Sequence, residues 1–162
     1  RIINCARGGL VDEAAAKAMK ANGTVLVPTL MALEGVSEGL GKGVYTPVVE
    51  DKIRAVQPLM ASLVSRARQY GVTVAFGTDA GVYQHGRNAE ELGLMKKQGM
   101  TDREVLASAT TVAAKVLGME SQIGKLAPGY SADIIAVDGN PLTDVAVLEE
   151  VDFVMVRGRV IE

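Results

Sequence analysis

The period of the apolar positions changes along the chain, and each change marks an element. Ile2-Ile3-Asn4-Cys5 is a short apolar run that predicts a buried strand, followed by a turn at Ala6-Arg7-Gly8-Gly9. Asp12 is placed to cap a helix over 13–21, which Asn22-Gly23 ends. The β-branched run 24–27, stopped by Pro28, predicts a second buried strand. Residues 30–47 carry Gly35, Gly39, Gly41 and Gly43, with weak helical character only at 31–34, and are expected to form a long loop that could act as a lid. Over 49–70, Ile53, Val56, Leu59, Met60, Leu63 and Ala67 recur at steps of three and four, so one long helix is expected, kinked at Pro58.

The second half repeats the alternation and then abandons it. Gly71 ends the long helix, and 72–76 predicts a third buried strand running into Gly77-Thr78-Asp79-Ala80-Gly81. A short helix is expected over 88–98. Thr101 with Glu104 forms a capping box for a helix reaching Leu117, closed by Gly118. Beyond Met119 the pattern becomes strands at 133–137 and 151–156, with Arg157-Gly158 as a two-residue hairpin before 159–161. Strands alternating with helices up to 118 argue for βα units on a parallel sheet, and 119–162 for a small β subdomain.

Composition narrows the chemistry. The 162 residues are 48% hydrophobic and carry a net charge of −2, with no basic surplus to suit a nucleic-acid partner. The single cysteine excludes an internal disulfide framework and a paired CxxC zinc site. The single histidine excludes HExxH and His-rich binuclear metal centres built by one chain. The length suits one domain and falls short of the roughly 250 residues of a full (β/α)8 barrel. No apolar run approaches a membrane span, no signal peptide opens the chain, and lone Cys5 fits a reducing compartment, so a cytoplasmic chain without a membrane partner is expected. Opening at Arg1 without methionine, the chain is expected to be a fragment or a processed product.

Asp79 is the leading candidate for chemistry. It falls just past the C-terminal end of an apolar strand, where parallel α/β folds display reacting groups, and a carboxylate there can ligate a metal or carry a proton. The same Gly-Thr-Asp-Ala-Gly pattern also fits a purely structural Asx-turn. His85, in Tyr83-Gln84-His85-Gly86, suits substrate binding or acid–base work, although a lone loop histidine is more often a solvated or hydrogen-bonded structural residue. Cys5 paired with His85 would make a nucleophile and base, but an apolar strand setting suits a packing cysteine. The glycines at 35–43 match neither GxxxxGK[ST] nor GxGxxG, and no GxSxG elbow occurs.

These segments carry a resemblance. Gly23-Thr24-Val25-Leu26-Val27-Pro28-Thr29-Leu30, Phe76-Gly77-Thr78-Asp79-Ala80-Gly81 and His85-Gly86-x-Asn88-Ala89-Glu90 come in the same order as in the C-terminal part of the amidohydrolase superfamily. So do Ala109-Thr110-Thr111-x-Ala113-Ala114-x-x-Leu117-Gly118, Gly124-x-Leu126-x-Pro128-Gly129-x-x-Ala132-Asp133 and Asp138-Gly139-Asn140-Pro141-Leu142. From residue 17 onward the chain resembles imidazolonepropionase-like and Xaa-Pro dipeptidase-like metal hydrolases. The resemblance implies an α/β fold: the last units of a (β/α)8 barrel (1–118) followed by a small β subdomain (119–162). It implies hydrolysis of a small-molecule amide or peptide C–N bond with a divalent metal, usually Zn2+. Asp79 would be the catalytic carboxylate and a metal ligand, and His85 a substrate-binding residue. The first-strand HxH pair, the lysine and the fifth-strand histidine of such sites belong to a half not present in this sequence, and the expected sixth-strand histidine is Arg7, a cation that would repel a metal. An alternative is therefore an inactive, self-associating fragment, as a homo-oligomer or awaiting an N-terminal half. Residues 1–16, through Ile3-Asn4-Cys5-Ala6-Arg7-Gly8-Gly9-Leu10-Val11-Asp12-Glu13-Ala14, resemble instead a segment of the 2-hydroxyacid dehydrogenases, near D-3-phosphoglycerate dehydrogenase, in which the residue matching Arg7 holds the substrate carboxylate. A junction between two sources, natural or engineered, would account for it.

Overall fold

Two short strands, β1 (Ile2–Asn4) and β2 (Val25–Val27), pair in parallel with Ile3 opposite Leu26, and helix α1 (Glu13–Ala21) lies between them in sequence. The computed structural model describes residues 1–4 and 11–161. Asp12 caps α1 as its sequence position requires, its carboxylate accepting from Ala15 N–H at 2.7 Å. Residues 72–76 extend the parallel arrangement on the other side of β2, with Leu26 N–H donating to Thr73 O and Ala75 N–H to Leu26 O, both at 2.9 Å. Only the bridge between Leu26 and Val74 is regular enough to count as strand pairing, so the third strand is shorter than its apolar run predicts. The order β1, β2, 72–76 brings the C-terminal ends of three parallel segments together.

Four further expectations need correction. Residues 30–37 are not loop but helix α2 (Leu30–Ser37), because Leu30, Met31 and Ala32 bury against the core. The candidate lid therefore shrinks to the turns before helix α3 (Pro47–Met60), where Gly41 and Gly43 adopt positive φ. The single helix over 49–70 is two, α3 and α4 (Leu63–Gln69). Pro58, in the last turn of α3, has no N–H to continue the ladder, and side chains hold the break: Arg66 donates to Leu59 O at 2.8 Å, while Gln98 donates to Met60 O and accepts from Val64 N–H, both at 2.8 Å. The helix expected to reach Leu117 is also two, α6 (Asp102–Ala109) and α7 (Thr111–Val116). Thr110 separates them at φ −121°, ψ −91°, its hydroxyl donating back to Leu106 O at 2.7 Å. Finally, β1 was expected to be buried, yet Ile2 and Ile3 are 55% and 43% exposed, because β1 is the edge of its sheet among the described residues.

Helix α5 (Glu90–Lys97) packs on α2 and α6, and Leu26, Leu63, Val64, Ala67, Met95 and Val105 form the centre of the core. The tail folds into a three-stranded antiparallel sheet, β3 (Ile134–Ala136), β4 (Phe153–Val156) and β5 (Arg159–Ile161), in the order β3-β4-β5. Arg157 and Gly158 close the β4–β5 hairpin with φ of 50° and 77°, the doubly positive pair of a type I′ turn. A 3₁₀ turn, Val145–Glu149, joins the tail to the α/β core: Val145 is buried within it, and its N–H donates to Asp102 Oδ1 at 2.8 Å. None of the described helices is long and apolar enough to cross a membrane.

Candidate functional site

The C-terminal ends of parallel strands are where an α/β fold presents chemistry, and here three such ends meet. Asn4 ends β1. Thr29 follows β2, is buried, and donates its hydroxyl to Asn4 Oδ1 at 3.2 Å. Gly77 follows the third segment, packed so closely on β2 that a Cβ there would overlap Val27 Cγ1. Two residues on, Asp79 is exposed and sits at φ 55°. Thr29 is also left-handed, at φ 47°. Such conformations strain non-glycine residues by about 1–3 kcal/mol and gather where surrounding structure enforces them for a purpose.

The segment after Asp79 is anchored at several points. Val82 N–H donates to Asp79 O at 3.3 Å, closing a turn. Tyr83 is buried against α2, where a Cβ at Gly35 would come within 2.5 Å of the Tyr83 Cβ. Its buried hydroxyl has no hydrogen-bond partner among the described residues. His85 is exposed, six residues beyond Asp79 on the same loop. Arg87 then grips both sides, donating from Nε and Nη2 to the two oxygens of Glu90 at 2.6 and 2.8 Å and from Nη1 to Glu38 Oε1 at 2.7 Å. The hydrogen bonds to Glu90 and then Glu38 raise the Arg87 pKa, and Arg87 in turn lowers that of Glu90.

Glu91, the next residue, is fully buried. Its Oε1 accepts from Leu30 N–H at 2.9 Å and its Oε2 from Met31 N–H at 2.7 Å, at the start of α2. Burial pushes its pKa up to about 7, against the two backbone hydrogen bonds that favour the charged form. Sequence reading missed Glu91 because Glu90-Glu91 looks like ordinary acidic residues in a first helical turn. The available signal was its spacing of four from Met95, which places it on the apolar face of α5.

The structure therefore puts Asp79 and His85 on one exposed loop at the proper end of the sheet. Cys5 and Arg7 lie outside the described residues. The amidohydrolase family model matches residues 4–161. The chain belongs to the amidohydrolase family. Among curated proteins, this amidohydrolase is 36% identical over 155 residues to an uncharacterized Mycobacterium tuberculosis protein, covering 93% of the chain and 40% of that protein. It is 34% identical over 141 residues to the ochratoxinase of Aspergillus niger, covering 86% of the chain and 29% of the relative. Among solved structures, a Xaa-Pro dipeptidase with bound methionine in the active site superposes with a TM-score of 0.92 at 38% identity, covering 99% of the chain and 39% of that structure. The A. niger ochratoxinase structure gives 0.79 at 28% identity, covering 98% and 36%. The chain thus spans about two fifths or less of the length of these relatives.

Amidohydrolases are generally metal-dependent, so the donor set of this chain can be tested against a metal. Its described residues do not fit one. Among the described residues no group of three or more His, Cys, Asp or Glu side chains converges, whereas a catalytic zinc needs about three protein ligands. Asp79 is a single exposed carboxylate.

Proposed function

We propose that the chain is part of a hydrolase acting on an amide or peptide C–N bond of a small molecule, with Asp79 as its catalytic carboxylate and His85 as a substrate contact. One observation carries this reading: in a chain of the amidohydrolase family, Asp79 stands in a strained left-handed conformation at the C-terminal end of a parallel strand, on a loop anchored at both ends. A carboxylate there takes the proton of the attacking water as its oxygen bonds to the carbonyl carbon. It then returns that proton to the departing nitrogen as the C–N bond breaks. His85, exposed six residues further along the loop, would hydrogen-bond the substrate. The printed names of the relatives, Xaa-Pro dipeptidase and ochratoxinase, support an amide or peptide as the substrate class.

The parallel β1-β2-72–76 order supports reading residues 1–118 as the last units of a (β/α)8 barrel, and the β3-β4-β5 sheet supports a small β subdomain over 119–162. Turnover of amide and ester substrates by the chain and by Asp79→Ala, together with metal analysis, tests the reading. Equal turnover would contradict it.

A second reading is a catalytically inactive, self-associating fragment. It is favoured by the exposed apolar edge at Ile2 and Ile3, which a second copy could cover, and by the lack of a converging ligand set among the described residues. It predicts no bound metal, no Asp79-dependent turnover, and a dimer or larger species in sedimentation.

A further inference from the structure

Glu91 takes no part in the proton transfer above, yet both of its oxygens are committed. It caps α2 from a different helix, accepting from Leu30 and Met31 N–H. The residue placed by sequence to cap α2 is Thr29, but Thr29 makes no side-chain cap and turns its hydroxyl to Asn4 instead. No cation pairs with Glu91 among the described residues; the positive end of α2 is what faces it. A buried carboxylate without a cation is costly, and so is a left-handed, β-branched Thr29 at φ 47°, ψ 51°. The two features share one helix terminus.

Their consequence reaches Asp79. Gly77 lies against Val27 and Thr29, a Cβ at 77 meeting Thr29 Cγ2 at 4.0 Å. Asp79 is two residues further on. From the other side, Tyr83 rests on α2 at Gly35. The strand end before Asp79 is thus seated on Val27 and on Thr29, the residue that leads into α2, and the loop after it on α2 itself, whose first turn is held by Glu91.

We propose that Glu91 is a positioning residue for Asp79: by capping α2 it fixes Thr29, and Thr29 seats the strand end that aims the Asp79 carboxylate. The effect on rate rests on the reading of Asp79 as the catalytic carboxylate, whereas the positional link stands apart from it.

The test is amide NMR on the full chain with Glu91→Gln, a near-isosteric change that replaces one acceptor by a donor facing an N–H. Hydrogen exchange at Leu30 and Met31 is expected to accelerate roughly tenfold or more. The amide signals of 77–82 are expected to shift while those of the β4–β5 hairpin stay. On an amide substrate, kcat falls and KM holds. Asp12→Ala, which uncaps α1, a helix that packs on α4 rather than on 76–82, controls for lost stability and leaves 77–82 unmoved. Should Glu91→Gln not fold, Glu91→Asp, which keeps the charge but withdraws it by one methylene, is read by the same signals. Faster exchange at Leu30 and Met31 with unmoved 77–82 signals would make Glu91 a helix cap and nothing more, and unchanged exchange would remove the hydrogen bonds themselves. If Asp79→Asn leaves hydrolysis unchanged while Glu91→Gln shifts 77–82, the catalytic reading fails and the positional link stands.

Discussion

Glu91 shows how a single residue can set a pH dependence. Its pKa is raised by burial from the ordinary 4.5 to about 7, so between those values the folded protein holds a proton that the unfolded chain has released. Its contribution to stability is therefore fully present below about 4.5 and lost as pH rises through about 7. The loss is up to about 3 kcal/mol. Denaturation of the chain and of Glu91→Gln at pH 5 and pH 8 checks this: the advantage of wild type over the variant should shrink at the higher pH. Gly77 offers a second test, since a Cβ there collides with Val27 Cγ1. Gly77→Ala is expected to cost about 1–3 kcal/mol in a denaturant titration. Of these residues, the place of Asp79 just past the end of an apolar strand was legible. Glu91 was not, because its burial depends on α2 lying 60 residues away in sequence.

Among the elements, those ended by local chemistry were readable. Asp12 and Thr101 cap where their spacing says they should, and Arg157-Gly158 makes its hairpin. The capping box of α6 also engages Arg68, whose Nη2 meets Glu104 Oε1 at 2.6 Å. The backbone hydrogen bond from Thr101 is the largest influence lowering the Glu104 pKa. Its contribution is present above the ordinary carboxylate range and lost as pH falls, opposite in sign to that of Glu91. Thr101→Ala is expected to destabilise by about 1 kcal/mol in the same titration. The breaks at 61–62 and at Thr110 were not readable. The first is held by Gln98 and Arg66 reaching back from other elements, the second by a hydroxyl competing with the helix ladder. Helix α2 was hidden by its glycine, which serves Tyr83 rather than a turn.

At the scale of the whole molecule, the α/β pattern and the family were legible from motif order, while the exposure of β1 was not, because a buried-strand pattern assumes a neighbour on both sides. Ile2 and Ile3 present an apolar edge unpaired among the described residues, and Val160 and Ile161 add a second apolar surface on β5. Ile3→Lys is expected to lower the weight-average mass in sedimentation if that edge drives self-association. The catalytic account rests on Asp79, two residues past Gly77 at the end of the third parallel segment, so the decisive comparison changes that side chain alone. Hydrolysis of a dipeptide and amide panel, Xaa-Pro peptides included, should be measured for the chain and for Asp79→Asn in Zn2+-containing buffer. The account predicts a rate at least about 100-fold lower in the variant; a wild-type rate no higher than that of Asp79→Asn would contradict it.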